Sequence, residues 1–298
     1  MTASYLSNDE KMQQAFKDGK DIYATIAALS FGKSYEDCLE FRPDGTTNSA
    51  GKERRGQAKS IVLGILYGRS IPSIAEQLQC SVNKAQEIYD KVLESFTGLA
   101  NFIKQSEEQA IQNGYVETAW GRRRHIPDMQ LPEYEFTYSD NARNFDPLAF
   151  DSSGSASSVD KATVEKYTRA LRAAKYNKER QQIIYEAKQQ GVKIKDNTFK
   201  ISEAKRQCVN SRVQGSAADM TKLAMIAINN DSQMKALDFH LLIQVHDEVI
   251  GECPRENAKA AAERLSYLMR TAPTELIDLP FRCDCEVTTN WYGDSIEL

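Results

Sequence analysis

The chain has little of what marks metal-bound, secreted or membrane proteins. Three histidines in 298 residues and the lack of any Cys-x-x-Cys pair argue against a structural zinc site. Six cysteines (Cys38, Cys80, Cys208, Cys253, Cys283, Cys285) are scattered along the chain, which fits reduced thiols better than a disulfide framework. No apolar run reaches bilayer-spanning length, and the N-terminus lacks the basic-then-apolar layout of a signal peptide. A cytoplasmic setting without membrane contact is the expectation. Positive charge is not in excess either. A net charge of −4 argues against a general polyanion coat, but local basic patches decide nucleic-acid binding more than the total does. No internal repeat is visible.

What remains is an ordinary globular composition, 41% apolar and 27% charged, long enough for one large domain or two smaller ones. Helical spacing of apolar residues predicts a helix over 9–30, capped by Asn8 or Asp9, and another over 52–68. Helix continues over 71–95, where Ser81 or Asn83 caps a later segment, and again over 96–114. Residues 115–120 read as a strand, and 121–125 as a turn loaded with cations, Gly121-Arg122-Arg123-Arg124-His125. Residues 128–160 are rich in Asp, Asn, Ser and Gly, and 152–158 read as flexible. Residues 163–206 hold twelve Lys/Arg against five Asp/Glu and read as one or two polar helices, either a solvated surface insertion or a grip on a nucleic-acid backbone. A long helix over 203–229, a helix near 255–272 and a strand over 281–288, with Cys283 and Cys285 on one face, complete the α+β reading.

Three constellations carry chemistry. The first is Leu-Ile-Gln-Val-His-Asp-Glu-Val at 242–249, a strand, a tight turn exposing its acids, and a returning strand. A bare carboxylate pair is costly unless something positive neutralises it. Asp247 and Glu248 are therefore expected to hold a cation, a divalent metal serving phosphate chemistry being the sharp alternative to a merely solvated acidic hairpin. The second is the stripe Arg55, Lys59, Leu63, Tyr67, spaced by four and so aligned on one helical face. Two cations at the N-terminal end suit a polyphosphate, while the apolar side chain and ring suit a sugar and a base. Gly64 and Gly68 would cost helix stability unless something approaches the backbone there. The third is Arg206, Asn210, Gln214, again spaced by four, a row of polar donors suited to minor-groove acceptors. Each has a bland alternative: an amphipathic helix with basic ends for the second, a surface row of polar residues for the third.

In this order the three motifs resemble the C-terminal part of the polymerase domain of family A DNA polymerases, the bacterial DNA polymerase I group and its phage relatives. The resemblance covers nearly the whole chain apart from the insertion around 130–200. It implies a C-terminal part of a right-hand polymerase fold: helical fingers over 1–127 with a nucleotide-binding helix at 52–68, a family-variable, partly flexible and basic insertion over 128–202, and a palm with a small antiparallel sheet over 203–298. It implies DNA-directed DNA synthesis by nucleotidyl transfer with Mg²⁺. Arg55 and Lys59 would bind the dNTP triphosphate, Lys59 taking part in catalysis. Leu63 would lie against sugar and base, and Tyr67 near the templating base. Arg206, Asn210 and Gln214 would contact primer–template DNA, with His246 near the primer terminus. Asp247 would hold catalytic Mg²⁺, with Glu248 beside it.

Three departures from the family carry expectations. The upstream Asp-Tyr-Ser motif with the first metal carboxylate is missing, and residues 1–9 look like the segment that follows it. Two explanations stay open: a split polymerase whose N-terminal half, a separate polypeptide, supplies that carboxylate and the thumb, or a truncated gene product. On either, the chain alone is expected to be inactive. A bacterial or phage-infected host cytoplasm is the implied setting. Leu63 stands where many relatives carry an aromatic ring, so discrimination at the sugar 3′ position is expected to change. The basic half of the insertion could lie along the duplex through Lys175, Lys178 and Arg180. The rival from another class is a non-catalytic nucleic-acid-binding protein that keeps the fold.

Overall fold

Caps and breakers divide the N-terminal helices more finely than their apolar periodicity predicts. The computed structural model describes residues 2–138, 159–291 and 293–296. After α1 (Thr2–Leu6), the helix expected over 9–30 is two helices, α2 (Glu10–Lys17) and α3 (Ile22–Phe31). Asp9 caps α2 by accepting from the Met12 N–H. Asp21 opens α3 afresh by accepting from Tyr23 and Ala24. Between them Gly19 takes a left-handed φ of +66°, which ends the first helix.

The expected 52–68 helix is α4 (Ser49–Leu66), capped by the Asn48 side chain. Next come α5 (Ile71–Gln77), α6 (Val82–Ser95) with Ser81 as its cap, and α7 (Thr97–Asn113). Their apolar faces, with Met12, Ile26, Ile61, Ile65, Ile74, Phe96, Leu99 and Phe102, form the largest core cluster, and Val209 joins it from the long helix described below. Then β1 (Tyr115–Glu117) pairs antiparallel with β2 (Arg123–His125). The strand expected over 115–120 is thus shorter, and three of the five residues of the expected cation turn are strand.

Residues 127–204 form a compact unit, and residues 1–126 together with 205–298 form another. Within the 127–204 unit, β3 (Tyr134–Tyr138), α8 (Lys161–Ala173), α9 (Asn177–Gln189) and β4 (Val192–Asp196) follow in order. The two strands pair antiparallel, Tyr134 opposite Asp196. Tyr134, Tyr167, Leu171, Ala187, Val192 and Ile194 make a core of their own. Two helices stand where one or two were expected; the strand pair was not foreseen. The stretch read as flexible, 152–158, lies outside the described residues.

The long helix α10 runs Thr198–Asn230, starting five residues earlier than expected. After α11 (Ser232–Ala236), β5 (His240–Val245) and β6 (Glu248–Glu252) form an antiparallel hairpin, followed by α12 (Ala258–Thr271). Ile228, Met234 and Leu268, with Leu241 and Val249 beside them, tie hairpin and helices together. Residues 281–288 are not a strand: their alternation meets no pairing strand among the described residues. The bonds to their backbone are isolated ones, from Ile296 N–H to the Val287 carbonyl at 2.8 Å and from Ser266 Oγ to the Cys283 carbonyl at 3.0 Å. Among the described residues the strands make three two-stranded antiparallel ribbons, within the expected α+β fold. None of the six cysteines is in a disulfide. Among the described residues no helix is long and apolar enough to cross a membrane.

Candidate functional site

The outward side of α4 carries the first expected stripe, since its other side (Ala58, Ile61, Val62, Ile65) is buried in the core. Arg55 is half-buried and held. Its Nε donates to Asp21 Oδ2 at 2.8 Å, and Glu40 Oε2 lies 3.9 Å from the guanidinium. Lys59, four residues on, is exposed and has no ion-pair partner among the described residues. The two cations share a ring: the Tyr23 centroid lies 5.7 Å from the Arg55 guanidinium carbon and 5.9 Å from Lys59 Nζ. Burial pushes the Tyr23 phenol above its ordinary range, with Tyr67 and Asp21 adding to the rise and Arg55 opposing it. Leu63 is half-buried and Tyr67 is 42% exposed. Arg55 and Lys59 thus share Tyr23, and Tyr67 acts on its phenol electrostatically, which nothing in the four-residue spacing reveals. A readable signal was Asp21 as a helix cap, since a capping acid is a fixed anchor for a nearby cation.

Beyond Tyr67 the chain turns at Gly68, φ +62°. A Cβ there would sit 2.3 Å from Cγ and 2.6 Å from Cβ of Arg206, so the turn rests on α10. What approaches the two glycines is protein, Arg206 at Gly68 and Ile74 at Gly64. Asn210 follows on α10, half-buried, with its Oδ1 buried and without a hydrogen-bond partner. Gln214 is exposed. A neighbouring face of α10 does structural work. Arg212 donates to the Glu117 carbonyl (3.1 Å) and Ser106 Oγ (2.8 Å), and stacks 4.6 Å from the Phe102 centroid. Ser216 Oγ accepts from Ala119 N–H at 2.9 Å. Buried Asp219 accepts from Thr118 Oγ1 at 2.7 Å and pairs with Arg122. The turn cation Arg122 is therefore a clasp between α10 and the β1–β2 ribbon.

The acid turn is a two-residue connection: Val245 pairs with Glu248, leaving His246 and Asp247 as the loop. His246 takes φ +55°, the positive φ such short connections demand, and its carbonyl accepts from Gln244 Nε2 at 2.8 Å. Glu248 is the first residue of β6 rather than part of the turn. All three side chains are exposed, and neither acid has an ion-pair partner among the described residues. The hard carboxylate oxygens suit Mg²⁺. Their number falls short, because no group of three His, Cys, Asp or Glu that could hold a metal exists among the described residues.

Residues 2–146 and 158–293 match the model of DNA polymerase family A. DNA polymerase I of Chloroflexus aurantiacus is 27% identical over 288 residues, 97% of this chain and 22% of that protein. The thermostable DNA polymerase I of Thermus filiformis is also 27% identical over 288 residues, 97% of this chain and 25% of the relative. The chain thus spans about a quarter of the length of these curated relatives. Among solved structures, the POL domain of Pol1 from M. smegmatis in complex with DNA primer-template and dNTP has a similar fold. Its TM-score is 0.60 at 22% identity, covering 94% of this chain and 35% of that one.

Proposed function

The chain belongs to DNA polymerase family A, and from that membership we propose that it carries the nucleotide-binding and primer-end portion of a template-directed DNA polymerase. The reaction is nucleotidyl transfer from a dNTP to a primer 3′-hydroxyl. The observation that carries the reading is the cation pair of α4, one member anchored and the other uncommitted, set around one ring. Arg55, fixed by Asp21, supplies a pre-oriented guanidinium for the triphosphate. Lys59, without a competing carboxylate, is the cation that can follow the charge as pyrophosphate departs. Leu63 packs on the sugar and base, and Tyr67 stands beside the templating base. Arg206, Asn210 and Gln214 line the primer–template. His246 lies at the primer terminus. Asp247, with Glu248 beside it, would hold Mg²⁺, which supplies charge neutralisation and an acidified primer hydroxyl when bound.

The short acid count supports a further part of the proposal: a separate N-terminal polymerase half supplies a second carboxylate and the thumb. The β5–β6 ribbon supports it too. Leu242, Ile243 and Val245 are 51%, 40% and 36% exposed on a strand with an open edge, a surface that ordinarily finds a partner. A bacterial or phage-infected host cytoplasm is the proposed setting. The short acid count also favours the alternative, a non-catalytic nucleic-acid-binding protein. Primer extension with Mg²⁺ and four dNTPs separates the two. The chain alone should be inactive, and mixing it with an N-terminal family A fragment bearing a metal carboxylate should restore extension. Primer–template binding without extension in either case would favour the alternative.

A further inference from the structure

The 127–204 unit presents a helix face that its own fold does not use. Ile183, Ile184 and Ala187 turn α9 inward onto the small core. At helical spacing the opposite side centres on Lys178, Gln182, Tyr185 and Gln189, with Gln181 and Lys188 along one margin and Glu179 and Glu186 along the other, all exposed. The nearest acids are occupied. Glu179 reaches back to accept from the Lys175 and Tyr176 N–H groups at 2.8 and 3.3 Å, and Glu186 accepts from Gln182 at 3.0 Å. Two other cations of the unit are committed, Arg172 to Glu133 and Lys195 to Glu135, while Lys161 and Arg169 on α8, like the lysines of α9, have no ion-pair partner among the described residues. Arg180, expected to grip a backbone, is instead half-buried against Thr198. Lys178 and Lys188 have no ion-pair partner among the described residues. Tyr185 is 58% exposed and Tyr176, at the start of the helix, 69%. Rings left in water beside uncommitted cations, on a helix braced by its own core, are the elements of a single-strand binding surface: charge for the backbone, a flat ring for an unstacked base.

We infer that the outward face of α9 binds single-stranded DNA, Lys178 and Lys188 contacting phosphates and Tyr185 stacking on a base. The choice of DNA among polyanions rests on the polymerase reading. Fluorescence anisotropy of the full chain with labelled oligo-dT, and with a hairpin duplex, tests it over about 50 to 200 mM salt. Replacing Lys178→Glu with Lys188→Glu should flatten the salt dependence on oligo-dT by at least about 1.4 in log–log slope, roughly 0.7 for each lost phosphate contact. Tyr185→Ala should weaken oligo-dT binding by about tenfold and the duplex far less, and Tyr185→Phe, keeping the ring, should restore it. Lys161→Glu with Arg169→Glu, the same charge change on exposed positions of α8, should flatten the slope clearly less. Unchanged oligo-dT binding in the α9 variants would overturn the inference, as would an equal effect from the α8 pair. So would equal loss on the duplex with Tyr185→Ala. In each of these cases primer extension in the reconstituted mixture still stands as the separate test of the polymerase reading. A chain with no affinity for either DNA would overturn both.

Discussion

Alanine at Gly68 and alanine at Gly56 are the same chemical change with opposite expected signs. Gly68 closes the turn after α4 at φ +62°, where a side chain is strained, and the added methyl would lie 2.3 Å from Arg206 Cγ and 2.9 Å from its Cα. The last contact is backbone, so a rotamer change of Arg206 cannot relieve it; the turn or α10 must move. The left-handed conformation costs about 1–2 kcal/mol for a non-glycine residue, and forced overpacking about 1–3. The sum is roughly 2–5 kcal/mol, or a fall of about 5–15 °C in Tm for a chain of this size. Gly56 sits inside α4, exposed, with nothing within 4 Å of an added methyl. Alanine there removes only the entropy cost of a helical glycine and should stabilise by about 0.5–1 kcal/mol. Thermal melts followed by far-UV circular dichroism compare the two variants with the parent chain. If Gly68→Ala melts with or above the parent, the close packing of the turn on Arg206 is wrong.

Other expectations are narrower. Leu63→Tyr should increase chain termination by dideoxynucleotides in the reconstituted reaction; equal termination by both proteins would remove Leu63 from the sugar contact. Asp231 caps α11 through the Met234 N–H and takes two bonds from Arg264, whose hydrogen bonds hold its carboxyl below the ordinary value of 3.8. A lowered carboxylate stabilises fully above its unfolded value and loses that contribution as pH falls through the folded one. Asp231→Asn should therefore be less stable at neutral pH and show a shallower loss below about pH 4 in acid titrations. Burial pushes the Cys208 thiol up to about 12, so iodoacetamide at about pH 8 should spare Cys208 and label exposed Cys285, as read by mass spectrometry; early labelling of Cys208 would contradict its burial.

What could be read from the sequence was local. The acid hairpin at 242–250 was legible because apolar runs and a polar pair of turn residues lie side by side. The existence of α4, expected over 52–68 and found over Ser49–Leu66, and the Ser81 cap came through for the same reason. What escaped depends on distant partners. Tyr134 pairs with Asp196 across more than sixty positions, and the strand-like alternation of Tyr134-Glu135-Phe136-Thr137-Tyr138 is obscured because it lies within a stretch rich in turn residues. Tyr23 belongs to the α4 stripe only because α3 packs beside α4. Arg122 looked like one cation in a basic turn, and only the buried Asp219 shows it to be a structural clasp. Residues 281–288 failed in the other direction, alternating like a strand with no strand to pair against among the described residues.

Buried Asn197 has a consequence for how such a chain changes over generations. Its backbone N–H donates to the Glu133 carbonyl at 2.9 Å, and its amide to the Pro132 carbonyl at 3.0 Å. Two positions near the ends of the 127–204 unit, 132–133 and 197, are therefore stitched together. Material enclosed by such a closed neck can be lengthened, replaced or lost in one genetic event without changing the spacing of the flanking elements. A variant in which a short turn joins residue 132 directly to residue 197 should retain the main core around Ile61 and Phe102. Its survival would mark residues 133–196 as an exchangeable cassette.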